Sequence, residues 1–173
     1  MEYEAVVYDL DGTLVRLDVD WEAAARDAAA ALRARDVDVD GLSLWEMLET
    51  ATERGYKSAV SDALADHERE GATRGSVLPT ADELPRAGPV GVCSLNAERA
   101  CREALAVHGL DAHVDAVVGR DTVEGYKPDP EPLLHVLGHL DAEPGRALFV
   151  GDTERDRETA RRAGVEFRWV EEH

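Results

Sequence analysis

The sequence predicts an α/β fold in which a doubly wound parallel sheet carries a small inserted helical region. Apolar runs at residues 5–8, 90–93 and 147–150 have the length and β-branched content of strands buried on both faces. Helical patterns alternate with the later runs, as is typical of parallel strands joined by right-handed crossovers. Between residues 20 and 71 the strand pattern disappears, which indicates a helical insertion after the first strand.

The insertion is predicted to hold three helices. Asp20 can cap the first, because apolar residues recur at helical spacing after it. Ser43 and Glu46 have the spacing of a capping box at the start of the second helix, which Gly55 would end. The third helix is expected over about residues 56–70.

A linker and a second series of elements follow. Residues 71–89 carry prolines and glycines near each end and are expected to return the chain to the sheet. Asn96 and Asp129 are each expected to cap the helix that begins directly after them. In order, the expected elements are strand 90–93, helix 97–108, strand 114–118, a helix from 130, strand 147–150, helix 154–163 and strand 165–170.

The charge of the chain is unusual. It has 37 Asp and Glu against 19 Lys and Arg, a net charge of -18, and only two of the cations are lysines. Repulsion at this charge destabilises a compact fold, and salt relieves it because the Debye length falls to about 3 Å at 1 M. The composition resembles that of proteins from salt-accumulating halophilic archaea, so we expect folding to require molar salt. Nucleic acid and anionic membranes are poor partners for such a surface.

Two further features concern location and thiols. The first residues lack a positively charged region, and no apolar run approaches the roughly 18 residues of a spanning helix. We therefore expect a cytoplasmic protein, either a monomer or a small homo-oligomer. Cys93 and Cys101 match no zinc pattern and are expected to be buried as small apolar residues.

Two carboxylates directly follow the first predicted strand. Asp9 and Asp11 lie two residues apart in an extended chain, so both can project into the crevice at the carboxyl edge of the sheet. An ionised Asp9 could attack phosphorus without a separate base. Asp11 could protonate the departing oxygen and later accept a proton from water. Alone, the pair is explained equally well by a solvated turn or a metal site.

Later motifs add partners for this pair. Ser94 ends the strand at 90–93, beside a helix start whose free N–H groups favour anions. Asp152 follows another strand, with Asp156 four residues on, and such hard oxygen ligands suit Mg²⁺. Lys127 is one of the two lysines in a chain that otherwise uses arginine.

Taken together, four motifs resemble those of the haloacid dehalogenase-like hydrolase superfamily, in particular its phosphoglycolate phosphatase-like branch. In the family's order they are Asp-Leu-Asp-Gly-Thr at 9–13, Ser94, Lys-Pro at 127–128 and Gly-Asp-Thr-Glu-Arg-Asp at 151–156. One departure is Leu95, because family members often place Asn there, and here Asn96 comes one position later.

The resemblance implies a Rossmann-like core with a small helical cap. It assigns residues 1–16 and 80–173 to the core and residues 17–79 to the cap and its linkers. The implied activity is a Mg²⁺-dependent phosphatase that hydrolyses a small phosphomonoester, such as phosphoglycolate or a sugar phosphate, through an aspartyl-phosphate intermediate. Its partner would be that small phosphorylated metabolite.

The resemblance also implies a role for each matching residue. Asp9 would be the nucleophile and Asp11 the general acid and base. Ser94 and Lys127 would bind the transferring phosphoryl group. The implied Mg²⁺ ligands are the Asp9 side chain, the Asp11 backbone carbonyl and the Asp152 side chain, with Asp156 bound directly or through water.

Several alternatives stay open. Asp11 argues against a dehalogenase, because halide leaves without a proton, and a phosphonate-cleaving relative would need Lys57 as its imine-forming residue. A sugar-phosphate mutase resembling β-phosphoglucomutase would use the same motifs, and so would a non-catalytic phosphate-binding regulator. Arg54 and Lys57, at a helix junction, and Arg16, after the first motif, are candidates to contact an anionic end of the substrate.

Overall fold

The computed structural model describes residues 3–171, so the predicted outer limits of the core at residues 1 and 173 lie outside the described part. No helix within that part has both the length and the apolar content needed to cross a lipid bilayer. The strands are β1 (Ala5–Tyr8), β2 (Val15–Arg16), β3 (Ser76–Val77), β4 (Val90–Cys93), β5 (Ala116–Val118), β6 (Ala147–Gly151) and β7 (Glu166–Trp169). The helices are α1 (Trp21–Arg33), α2 (Leu44–Glu53), α3 (Lys57–Arg74), α4 (Glu98–Val107), α5 (Glu131–His139) and α6 (Glu154–Ala163).

Five strands form one sheet in the order β5-β4-β1-β6-β7, and all of its pairings are parallel. The first strand lies in the middle, with Val6 level with Val90 on one side and with Leu148 on the other. The chain therefore moves outward from β1 in both directions, and the strand order reverses there. The predicted α/β fold with a doubly wound parallel sheet is confirmed.

The central strand explains why the sheet is buried on both faces. Val6 and Tyr8 belong to a cluster that includes Cys101 and Leu105 of α4. Ala5, Val7 and Phe149 instead belong to a cluster with residues of α5 and α6. Successive side chains of an extended chain point to opposite faces, so a strand covered on both sides must be apolar throughout.

The predicted helical insertion follows β2 and ends at β3. These two short strands pair antiparallel, with Val15 level with Val77, so the chain leaves and returns at one place. Helices α1, α2 and α3 share a hydrophobic cluster of their own. Asp20 caps α1, and Ser43 and Glu46 form the predicted capping box of α2.

The third helix differs from its predicted limits. It continues through Gly71 and ends at Arg74, and Ser76–Val77 is a strand rather than linker. Gly71 is needed for close packing, because a Cβ there would lie 2.5 Å from the Val19 side chain. A glycine that resembles a helix stop in the sequence here allows the entering chain to pass close to α3.

The second half of the chain confirms most predicted elements, with two differences at helix starts. Ala97 is the N-cap residue of α4, with no side-chain cap, so the prediction of Asn96 as that cap is wrong. Asp129 accepts the Glu131 N–H at 2.8 Å, but Pro130 occupies the N-cap position of α5. Both cysteines are buried and free, as expected.

Candidate active site

The carboxyl edge of the sheet brings the predicted site residues together. Asp9 follows β1, Ser94 follows β4, and Asp152 follows β6. Because β1 pairs with both β4 and β6, these three residues end neighbouring strands at one edge. In open α/β sheets, ligands bind at the edge where the strand order reverses, which is where β1 ends here.

A lysine joins two of the carboxylates. Lys127 Nζ donates to Asp9 Oδ1 at 2.8 Å and to Asp156 Oδ1 at 2.5 Å, and all three side chains are buried. Burial alone would lower the pKa of Lys127, but the two carboxylates reverse that effect and raise it, so the ammonium stays charged. An ammonium has three N–H donors, so one is left for a bound ligand.

Burial shifts the pKa of Asp9, the candidate nucleophile, in the direction opposite to its effect on Lys127. It raises the pKa of Asp9 well above its usual value, Lys127 opposes the rise, and the neighbouring Asp156 and Asp152 add to it. Lys127 therefore hydrogen bonds with two of three neighbouring carboxylates and offsets only part of their charge. This excess of negative charge favours the binding of a further cation at the site.

The N-terminal turn of α6 fixes Asp156. Its Oδ2 accepts the Thr153 N–H at 3.1 Å and the Thr153 hydroxyl at 2.8 Å, and Thr153 in turn caps the helix. Gly151 is necessary beside it, because a Cβ there would lie 2.7 Å from the Asp156 carboxylate. The other oxygen of Asp156 is thereby directed to Lys127.

Asp152 and Asp11 have different surroundings. Asp152 is exposed and packs against Gly12, where a Cβ would lie 2.1 Å from its carboxylate and where φ is +84°. Asp11 is partly buried and accepts the Leu17 N–H at 2.9 Å. Burial raises the pKa of Asp11, although that hydrogen bond lowers it. A carboxyl group that holds its proton more readily suits a general acid.

Three of the carboxylates could bind a metal ion together. One oxygen each from Asp9, Asp152 and Asp156 lie within 4.8 Å of one another. An all-oxygen, negatively charged donor set suits Mg²⁺, which takes few protein carboxylates and keeps several waters. The side chain of Asp11 lies outside this group.

Ser94 is prepared to donate a hydrogen bond. It is buried, and its Oγ accepts the backbone N–H of Asn96 at 3.1 Å and the Asn96 side-chain amide at 3.2 Å. With both acceptor positions used, the hydroxyl hydrogen is left for a ligand oxygen. Asn96 therefore supports Ser94 rather than capping a helix, a role that its sequence position did not indicate.

Part of this site lines one small cavity. It has a volume of about 190 Å³, and its walls include Asp9, Asp11, Asn96 and Lys127. Three further lining residues had no role in the sequence-based prediction, namely Trp21 at the start of α1, Trp45 near the start of α2, and Arg155, which lies within the fourth motif on α6. The two indole rings lie 5.9 Å apart. The insertion thus covers the site with aromatic side chains.

A buried ion pair lies behind the Ser94 segment and was also not predicted. Arg120, in the loop after β5, contacts Glu68 of α3, and both side chains are fully buried. Arg120 also donates to the Leu95 carbonyl at 2.9 Å, while Glu68 accepts the Ala97 N–H at 3.0 Å. The insertion is thereby connected to the chain segment that holds Ser94.

The three substrate-contact candidates lie apart from this cavity. Arg16 is exposed and lines a separate cavity of about 650 Å³ that Asp152 also lines. Arg54 is exposed at the end of α2. The Lys57 ammonium donates to the backbone carbonyls of Val123, at 3.0 Å, and Glu124, at 2.7 Å. In this arrangement Lys57 connects the insertion to the core.

Comparison with known proteins agrees with the fold and the motifs. Residues 6–170 match the haloacid dehalogenase-like hydrolase family. Phosphoglycolate phosphatase from Cereibacter sphaeroides (strain ATCC 17029) is 32% identical over 181 residues, covering 94% of this chain and 82% of the relative. Phosphoglycolate phosphatase from Aquifex aeolicus is 27% identical over 172 residues, covering 92% and 81%.

Solved structures show the same architecture. A subfamily IA hydrolase of the superfamily from Geobacter sulfurreducens has a TM-score of 0.64 and 31% identity, covering 95% of this chain and 88% of the other. CbbY from Rhodobacter sphaeroides, crystallised with xylulose-(1,5)bisphosphate, has a TM-score of 0.66 at 20% identity, covering 96% and 85%. The chain belongs to the haloacid dehalogenase-like hydrolase family. Within that family it is a phosphatase.

Proposed function

We propose that the protein hydrolyses a small phosphomonoester, of the phosphoglycolate or sugar phosphate type, with Mg²⁺ and through an aspartyl-phosphate on Asp9. One observation supports this most strongly. A buried carboxylate at the carboxyl edge of the sheet hydrogen bonds with a charged lysine, and two more carboxylates lie within 4.8 Å of it. This arrangement combines a nucleophile, a phosphate-binding cation and a metal-ligand set.

The proposed reaction has two steps. A carboxylate oxygen of Asp9 attacks phosphorus, the bond from phosphorus to the leaving alcohol breaks, and Asp11 gives that oxygen its proton. Water then attacks phosphorus and passes a proton to Asp11, while the bond between phosphorus and Asp9 breaks. Inorganic phosphate leaves, and both carboxyl groups return to their starting states.

The other residues hold the reacting group. The free N–H of Lys127 and the Ser94 hydroxyl would each donate to a phosphoryl oxygen, which offsets negative charge as it develops. Mg²⁺ would be held by the Asp9 side chain, the Asp11 backbone carbonyl and Asp152, with Asp156 bound directly or through water. When bound, the ion neutralises the repulsion between the phosphate and the carboxylates.

We also propose a division of the chain into core and cap, and a cellular location for the protein. Residues 1–16 and 80–173 would form the catalytic core, and residues 17–79 the cap with its linkers. The separate hydrophobic cluster of α1–α3 supports that division. The net charge of -18 supports a cytoplasm rich in salt and disfavours nucleic acid and membrane partners. The protein would act as a monomer or a small homo-oligomer.

A phosphate-release screen over small phosphomonoesters in molar KCl tests the function. We expect release that requires Mg²⁺, stops with a chelator and is abolished in Asp9→Asn. No release from any ester, or release unchanged in Asp9→Asn, would contradict the proposal. Turnover that requires a sugar bisphosphate as activator would identify a mutase instead. Phosphate binding without turnover would identify a regulator.

A further inference from the structure

The cavity contains a cation that the proposed reaction does not use. Arg155 is the second residue of α6 and lines the same cavity as Asp9 and Lys127. Its guanidinium lies over the indole ring of Trp45, 5.5 Å from the ring centre. The planar guanidinium stacks on aromatic faces, so Trp45 holds Arg155 at the wall of the cavity.

Arg155 differs from the other arginines of α6, which form ion pairs with carboxylates. On the same helix, Arg157 pairs with Glu154, and Arg161 and Arg162 both pair with Glu158. Within residues 3–171, no carboxylate lies within 4.0 Å of the Arg155 guanidinium. The chain has 37 acidic and 19 basic residues, so carboxylate partners are plentiful. An arginine that faces the cavity without one has its donors available to a ligand.

The other cation of the cavity has a different role. Two of the three Lys127 donors are engaged by Asp9 and Asp156, and the third faces the reacting phosphoryl group in the proposed mechanism. Arg155 also lines an adjoining cleft of about 530 Å³ between α2 and the loop around Tyr126. It therefore lies where the small cavity beside Asp9 meets this larger cleft.

We propose that Arg155 binds a second negative group, a carboxylate or a phosphate, on the leaving group of the substrate. The inference rests on the proposed phosphatase function and specifies its substrate class. The guanidinium fork matches either anion with two parallel hydrogen bonds. Trp21 and Trp45 would contact the carbon atoms between the two charges. The cavity of about 190 Å³ has room for a short chain or a single sugar ring between them.

Matched substrates that differ by one charge test the inference. Phosphoglycolate is compared with 2-hydroxyethyl phosphate, in which an alcohol replaces the carboxylate, and a pentose bisphosphate with the corresponding pentose 5-phosphate. We expect the wild type to prefer one charged member by at least about 10-fold in kcat/KM. Whichever pair shows the preference identifies the second group as carboxylate or phosphate. No preference in either pair would overturn the inference.

The variant Arg155→Ala separates binding from a structural role. We expect kcat/KM for the preferred charged substrate to fall about 10- to 100-fold, mainly through KM, as for a lost charge-assisted contact. The neutral partner should change less than about 3-fold, and Arg155→Lys should recover part of the loss. Equal losses on both members of the pair would show that Arg155 acts only on the structure.

A control and a separate readout keep the two proposals distinct. Arg157→Ala removes an exposed arginine from the same helix and should leave both substrates unchanged. Release of phosphate from p-nitrophenyl phosphate, abolished by Asp9→Asn, establishes the phosphatase independently of any second charge. If that release is present and the matched pairs show no preference, the inference about Arg155 fails alone. If it is absent with every ester, both proposals fail.

Discussion

Glu68 and Arg120 form a fully buried ion pair that holds the chain directly after Ser94. Arg120 donates to the Leu95 carbonyl, and Glu68 accepts the Ala97 N–H. Arg120 also donates to the Ser61 hydroxyl at 3.1 Å and the Ser61 carbonyl at 3.2 Å. The charges are thus paired and surrounded by further partners, as buried charges require. The last helix of the insertion is part of the support of the site.

Removal of one member of this pair should be strongly destabilising. Glu68→Ala leaves the Arg120 charge buried without its partner, so we expect unfolding free energy to fall by about 3–5 kcal/mol. Denaturant unfolding in molar KCl measures this loss. Adding Arg120→Met to the same variant removes the unpaired charge and should recover part of the stability.

A partly exposed ion pair provides the control for that experiment. Arg69 and Glu103 also connect α3 to α4, but both side chains are partly open to solvent. Arg69→Ala should therefore cost less than about 1 kcal/mol. Equal losses for Arg69→Ala and Glu68→Ala would show that burial of the pair contributes nothing special.

Local patterns predicted the parts of the site that follow strands. Asp9, Ser94 and Asp152 each end an apolar run, and the rules of parallel sheets bring such ends to one edge. The strands themselves were predictable because burial on both faces requires an uninterrupted apolar run. Sequence and topology together therefore determine the position of the proposed catalytic centre.

Long-range pairings could not be read in the same way. Glu68 and Arg120 are separated by 52 positions, and one more acid in so acidic a chain carries no signal. Arg155 lies within the fourth motif, but nothing in the local sequence indicates its contact with Trp45. Asn96 had the position of a helix cap, but the Ser94 hydroxyl is its actual partner. In each case tertiary contacts override the local preference.

The variant Asp11→Asn should separate the two halves of the reaction. An amide cannot protonate an alkoxide, so hydrolysis of alkyl phosphates should fall at least about 100-fold. The p-nitrophenolate ion leaves without a proton, so its first release should persist while water attack on the phosphoenzyme slows. Rapid-quench kinetics with p-nitrophenyl phosphate should then show a burst of about one equivalent per chain. Loss of the burst together with turnover would contradict the assigned role.

Gly12 should be required for the metal site. In Gly12→Ala the new Cβ would occupy the position of the Asp152 carboxylate, 2.1 Å away, so Asp152 must move. We expect the Mg²⁺ concentration for half-maximal activity to rise at least about 10-fold. Gly55→Ala is a matched control, because φ is +78° there and no atom lies within 4 Å of the added Cβ. An equal effect of both variants would indicate backbone strain rather than displacement of Asp152.

The two cysteines should report whether folding depends on salt. Burial raises the pKa of both the Cys93 and Cys101 thiols to about 12, so little reactive thiolate exists at pH 8 in the folded chain. In the unfolded chain the thiol pKa returns to about 8.5. Folded stability should therefore fall as pH rises above about 8.5, because only the unfolded chain then releases these protons.

At pH 8 we expect slow labelling by a disulfide reagent in molar KCl and rapid labelling of both thiols in dilute buffer. Cys101→Ser should halve the number of labelled thiols in dilute buffer. Equally slow labelling at both salt concentrations would show that the fold does not need salt, and rapid labelling in molar KCl would contradict the burial of the thiols.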